Sequence, residues 1–212
     1  MVLIGIIYFF GPDGAGKSTL VKGLASQLYD GDRKVKLSWM RGSHTLVSLV
    51  AIFLSKFDCF KGSDNPYYHI RVPKKLKRLW QFLEFVSALP VIFVNFLIPN
   101  VMGCWVLADR YTLDLIVWLC LTTRDKSFLS TSMSRLLLTL AKRTSAKFYV
   151  TANVELLKRR TNDVWLPNEQ LCLYGKLAKA VGAHIIDTTN KSVKESLHEI
   201  LPAVYATNHK FP

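Results

Sequence analysis

Gly11, Gly16, Lys17 and Ser18 follow the spacing G-x4-G-K-S within IIYFFGPDGAGKSTL, residues 6–20. Those residue types in that order suit one task, gripping the phosphates of a nucleoside triphosphate. Glycines at 11, 14 and 16 permit backbone turns that a β-carbon hinders, so successive N–H groups can face an anion. Lys17 can reach the β- and γ-phosphates, and the Ser18 hydroxyl can ligate Mg²⁺. Gly11, Asp13, Gly14, Ala15, Gly16, Lys17, Ser18 and Thr19 are therefore the expected ATP-binding segment. A second group lies at Trp105-Val106-Leu107-Ala108-Asp109, an apolar run ending in a carboxylate. Asp109 is suited to hold Mg²⁺ directly or through water. Arg110 beside it carries a permanently charged, bidentate fork that can span donor and acceptor phosphates.

These groups need elements to aim them. Residues 3–10 form a nearly continuous apolar run, as expected of a strand buried on both faces. After the loop, Leu20, Val21, Leu24, Ala25 and Leu28 recur at helical spacing, so the loop joins a strand to a helix whose positive end adds to the anion site. Further strands are expected at 34–40, 104–108, 147–151 and 184–187, alternating with helices that carry Leu137, Leu177 and Ile200 on their apolar faces. Such alternation indicates a parallel α/β sheet, whose ligands gather at the carboxyl ends of its strands. Gly11, Arg41, Asp109 and Thr151 all fall at such ends. The stretch 41–103 shows no strand signal and is expected to supply helices covering the acceptor side of the cleft.

Composition narrows the setting. A chain of 212 residues with 50% apolar and 20% charged residues is one folded domain rather than a disordered chain. Its net charge of +13, from 28 Lys and Arg against 15 Asp and Glu, suits polyanionic partners: nucleotides, nucleic acid or an anionic membrane surface. Cys59, Cys104, Cys120 and Cys172 are widely spaced without a C-x-x-C pair, which fits reduced, buried thiols in a cytoplasmic protein. The first ten residues lack the features of a signal peptide. The apolar segment 85–98, broken by Pro90 and Asn95, is short for a membrane span and reads as a buried helix. A homodimer is compatible with these features.

The chain resembles the thymidylate kinase family. GPDGAGKST near the N-terminus, VLADRY at 106–111 and the basic Lys158-Arg159-Arg160 carry the resemblance, which is collinear over nearly the whole chain. It implies a P-loop NTPase fold, three layers α/β/α around a five-stranded parallel sheet of order 2-3-1-4-5, with a short lid at about 155–170. It also implies that Asp13 lies by the acceptor sugar, that Arg41 grips the acceptor phosphate and that Arg110 is the Arg of the Asp-Arg motif. Ala15 occupies a position where some members carry an arginine; in members without it a lid supplies one, here Arg159 or Arg160. Phe85, 24 residues before Asp109, stands where the family stacks thymine. Two positions depart from the pattern. Leu89 occupies the place of the base-reading arginine, and Asp114 replaces the serine of D-R-Y-x-x-S. The acceptor side is therefore expected at Asp13, Arg41, Phe85, Arg110, Tyr111 and Asp114.

The chemistry so implied is ATP-dependent phosphoryl transfer to a nucleoside monophosphate, dTMP first among them. The acceptor's phosphate is already ionised near neutrality, so no base is needed. Lys17, Arg110, Arg159 and Arg160 would neutralise charge as it develops, with Mg²⁺ on Ser18 and Asp109. Other readings stay open. One is a kinase for another nucleotide, an isoprenoid or a sugar phosphate, with Asp13 or Asp114 as base if the acceptor is an alcohol. Another is a nucleic-acid end kinase or ATPase, suggested by Arg71, Lys74, Lys75, Lys77 and Arg78. A third is a non-catalytic nucleotide switch.

Overall fold

Successive residues of the first strand, β1 (Leu3–Phe10), pack into different layers. Ile6, Tyr8 and Phe10 enter one apolar core, while Ile7 and Phe9 enter another. This is the two-residue period of a strand covered on both faces. The computed structural model describes residues 3–29, 34–40, 42, 45–161 and 165–208. β1 is the central strand of a five-stranded parallel sheet. Its companions are β2 (Val35–Trp39), β4 (Trp105–Asp109), β5 (Thr144–Thr151) and β6 (His184–Asp187). The order is β2-β4-β1-β5-β6. The extra number belongs to β3 (Lys61–Asn65), a short segment outside the sheet that bridges antiparallel to Ile70. With β3 set aside, the five strands follow the expected 2-3-1-4-5. The expectation of no strand within 41–103 is corrected by β3, whose polar sequence KGSDN carries no apolar alternation to betray it.

Helices α1 (Lys17–Tyr29) and α9 (Val193–Asn208) cover the Ile7/Phe9 face. The opposite face holds α5 (Thr112–Thr122), α6 (Ser132–Lys142) and α8 (Pro167–Val181). Every residue of α5 is buried, as a helix apolar all round requires. A side region of α2 (Thr45–Leu54), β3 and α3 (Lys77–Ile92) has a small core of its own around Val47, Ala51, Ile70, Val72 and Trp80.

Helix α3 runs on through a π-helical turn, Phe93–Leu97, into the short α4 (Ile98–Val101). Pro90 removes a donor within α3 and crowds the preceding turn, and a wider turn nearby is a known accommodation. The continuous helix, Lys74–Val101, is 28 residues long and apolar enough to cross a membrane, with 39% of its most apolar window buried. The expected buried helix at 85–98 is thus only partly buried: Phe93 and Val94 are exposed, while Phe96 is enclosed. The cysteines also depart from expectation. All four are free, but only Cys120 is buried, and Cys59 and Cys172 are exposed.

Candidate active site

The carboxyl ends of β1 and β4 lie side by side, with Phe9 paired to Asp109. That register brings the two motifs together. Gly11 leaves β1 with φ +140°, and a β-carbon there would lie 2.0 Å from the Val150 carbonyl oxygen. Only glycine allows the turn to hug β5. The loop then delivers Lys17 and Ser18 to the first turn of α1, whose unpaired N–H groups favour an anion.

Lys17 is buried and its Nζ donates to the Pro12 carbonyl at 2.6 Å. Burial, helped by the neighbouring Arg110 charge and opposed by Asp13 and Asp114, lowers its pKa to about 7. Ser18 Oγ donates to Asp109 Oδ2 at 2.5 Å. The other carboxylate oxygen, Oδ1, is buried without a hydrogen-bond partner among the described residues. A hydroxyl and a carboxylate meeting in this way, with one oxygen unsatisfied, fit the hard oxygen ligand set of Mg²⁺.

Arg110 sits at φ +73°, a left-handed conformation that costs about 1–2 kcal/mol for a residue with a β-carbon. Its surroundings hold it there. The backbone N–H donates to the Phe9 carbonyl at 2.9 Å. The guanidinium donates to the Asp114 carboxylate at 2.9 Å and the Gly11 carbonyl at 3.3 Å, and it pairs with Asp13. Burial alone would disfavour the charge, but Tyr174, Asp114 and Asp13 hold the arginine firmly protonated.

Asp114 is the hub of this arrangement. It accepts from Tyr8 Oη at 2.7 Å, Tyr174 Oη at 2.9 Å and the Tyr111 N–H at 3.1 Å. The Tyr8 hydroxyl in turn accepts from the N–H groups of Leu113 and Asp114 at the start of α5. Burial, reinforced by the Asp114 charge, drives the pKa values of Tyr8 and Tyr174 up, so both remain donors.

A narrow cleft of about 20 Å³ opens beside the hub, lined by Arg110, Asp114, Trp118, Trp165, Gln170 and Tyr174. Tyr67 stacks on Trp118 at 5.3 Å, and Trp165 lies 6.1 Å beyond it. On the other side of the loop a cavity of about 260 Å³ is lined by Gly16, Thr19, Arg160, Thr188, Lys191 and Val193.

Of the expected acceptor residues, Asp13, Arg110 and Asp114 converge. Tyr111 is fully buried, with its ring 4.6 Å from Phe96 and its hydroxyl unpartnered among the described residues. Phe85 packs in the core that also contains Ile92, Phe96 and Trp118. Leu89 is 37% exposed, on the outer side of α3. Arg41 lies outside the described residues. Of the two lid arginines on α7 (Val154–Arg160), Arg160 donates to the Gly14 carbonyl and to Thr188 Oγ1 at 3.3 and 3.0 Å. Arg159 is exposed and makes no such bond among the described residues. Residues 162–164 of the expected lid lie outside the described residues. The sequence reading missed Tyr8, Trp118, Trp165, Thr188 and Tyr174. Of these only Trp118, one helical turn after Asp114, carried a positional signal.

No protein-family model matches the chain, and no curated protein matches it in sequence. Solved structures do. A thymidylate kinase from Candida albicans superposes with a TM-score of 0.62 at 13% identity, over 96% of this chain and 92% of its own. A thymidylate kinase from Ehrlichia chaffeensis gives 0.58 at 17% identity, over 94% and 97%. The chain therefore has the α/β P-loop fold of thymidylate kinases.

Proposed function

We propose that this protein transfers the terminal phosphoryl group of ATP to a nucleoside monophosphate, with dTMP as the first candidate acceptor. The observation that carries the proposal is the meeting of Lys17, the Ser18–Asp109 pair and Arg110 at the adjacent ends of β1 and β4. A site that only bound ATP would not need a buried arginine held between the phosphate loop and an enclosed cleft.

In this reading the triphosphate lies along the loop, with its base in the cavity bounded by Arg160, Thr188 and Val193. Ser18 and Asp109 would hold Mg²⁺, which neutralises charge on the phosphates of bound ATP. Lys17 leaves the Pro12 carbonyl to donate to the β- and γ-phosphates. Arg110 presents its fork to the acceptor phosphate, and Asp114 with its two tyrosines fixes the fork's direction. An acceptor phosphate oxygen forms the new P–O bond as the bond to the β-phosphate oxygen breaks and ADP departs. No proton need be removed from the acceptor.

The cleft beside Arg110 has room for about one water molecule, so acceptor entry requires Trp118 and Trp165 to part. The aromatic walls suit a planar base, but Leu89 supplies no base-reading cation, which supports keeping other small acceptors in the test. ADP release with Mg-ATP should be measured across dTMP, dUMP, CMP, AMP, GMP and an isoprenoid phosphate. Stimulation by dTMP above the others is expected. Strong stimulation by another compound with none by dTMP would replace the acceptor, and silence across the nucleotides would overturn the reading.

A further inference from the structure

Beside the narrow cleft at Arg110 lies a cavity of about 590 Å³, lined by Cys120, Leu121, Arg124, Lys126, Leu166 and Glu169. The two spaces meet at Leu121, which lines both. Trp165 and Gln170 on the cleft side are chain neighbours of Leu166 and Glu169 on the other. The roomier space is thus reached by continuing past the aromatic walls along α5. Its volume is that of a small-molecule site, yet transfer to a bare nucleoside monophosphate makes no use of it.

The cavity has an apolar floor and a cationic wall. Cys120, Leu121 and Leu166 form the floor, and burial pushes the Cys120 thiol up to about 12, so it stays neutral. Arg124 and Lys126 follow the end of α5 and are exposed. Arg124 stands at φ +47°, in the left-handed position where a helix more often ends on glycine. Its N–H donates to the Leu121 carbonyl at 3.1 Å, and its own carbonyl accepts from Lys77 Nζ at 3.4 Å. Asp64, only 6% exposed, steers the guanidinium through one nitrogen at 2.7 Å. That carboxylate also pairs with Arg71 at 3.2 Å, so one negative charge serves two arginines. Most donors of the Arg124 fork remain unused among the described residues. Lys126 makes no hydrogen bond or ion pair among them. Glu169 belongs to the first turn of α8 and so to a different wall.

The geometry points to an anion subsite continuous with the acceptor cleft: Arg124 and Lys126 bind a phosphate ester attached beyond the sugar of the acceptor nucleotide. This rests on the phosphoryl-transfer reading above. Helix α5 rises about 1.5 Å per residue, so Arg124 stands roughly 15 Å beyond Asp114 and the Arg110 fork. A nucleoside monophosphate held by its phosphate at Arg110 ends on the tryptophans, short of the two cations. A second phosphate on the 3′ oxygen extends toward them, and a following nucleotide can lie on the Leu121–Leu166 floor. The same arrangement accounts for Leu89, because an acceptor gripped at two phosphates needs less from its base edge.

Calorimetric titration of the intact protein, without ATP, should compare dTMP, thymidine 3′,5′-bisphosphate and the 5′-phosphorylated dinucleotide pTpT. At least one phosphate-extended compound is expected to bind about tenfold or more tightly than dTMP, with the advantage shrinking at high salt. The tighter of the two identifies the source of the second phosphate, a small bisphosphate or the end of a strand. K126E, on an exposed side chain, should lose most of the advantage. R124Q/K126Q should lose all of it, with dTMP affinity and the Mg-ATP thermal shift unchanged. No gain of either compound over dTMP overturns the inference, as does a gain that survives both variants. ADP release with Mg-ATP, read on the same compounds, separates the two readings. Tight binding of an extended compound with no release on any acceptor refutes phosphoryl transfer and leaves the anion subsite standing; turnover of dTMP with no gain from the second phosphate does the reverse.

Discussion

Among the described residues Arg110 and Lys17 are the two buried cations between the phosphate loop and the cleft, and each is held differently. Arg110 is neutralised by Asp13 and Asp114, so it needs no substrate to stay charged. Among the described residues Lys17 has only a carbonyl as its hydrogen-bond partner, and burial keeps its pKa at about 7. A polyphosphate beside Lys17 restores the proton. At about pH 8, ATP binding should therefore take up close to one proton, read as the dependence of calorimetric enthalpy on buffer ionisation. Without ligand the stability linkage has the same sign as for a carboxylate of depressed pKa. The folded pKa lies below the unfolded 10.5, so unfolding takes up a proton between those values. Stability contributed at this site thus rises with pH from about 7 to 10.5, and K17M should flatten that slope in urea denaturation. On the chemical step, K17A and R110A should each lower kcat by roughly 10³-fold or more, with far-ultraviolet circular dichroism unchanged for K17A. Near-normal turnover in R110A would remove the role assigned to it.

At the scale of elements, the loop joining β1 to α1 was legible because its spacing encodes a backbone path, and Asp109 because it ends an apolar strand. The hub around Asp114 was not. Tyr8 lies 106 residues earlier in the chain and reads as one more apolar position of a central strand, while Tyr174 reads as one face of α8. Their hydroxyls acquire meaning only when β1, α5 and α8 meet. The stripe on α3 was half legible. Its periodicity announces a helix with an apolar face, but nothing in a single chain says whether another element covers that face, and here Leu79, Phe82 and Phe93 remain uncovered. The hub makes its own prediction. Y8F leaves the N–H groups of Leu113 and Asp114 without their acceptor and should cost about 1–3 kcal/mol of stability. D114A leaves Arg110 half paired and should cost about 3–5 kcal/mol. Urea midpoints check both, and a D114A protein as stable as the parent would reduce the hub to ordinary packing. Trp118, in contact with Tyr67 and near Trp165, should report acceptor entry as a change in tryptophan fluorescence that W118F abolishes.

Across the whole molecule, the proposed site is an assembly of distant segments rather than a local one. The loop after β1 is braced by Arg110 from β4, by Thr188 after β6, which donates to the Ala15 carbonyl at 3.0 Å, and by Arg160 from α7. A ligand held there ties together β1, β4, β6 and α7 and must stabilise the fold as a unit. Saturation at a hundred times Kd contributes about 2.7 kcal/mol. For a domain of this size that corresponds to a rise in Tm of roughly 5–10 °C. The rise should depend on Mg²⁺, because Ser18 and Asp109 provide the oxygen pair that fits the ion. Mg-ATP should therefore raise Tm by that amount, ATP with a chelator by much less, and S18A should bring the two curves together while leaving the unliganded Tm within about 1–2 °C of the parent. An equal shift with and without the metal in the parent protein would show that Ser18 and Asp109 do not serve as its ligands.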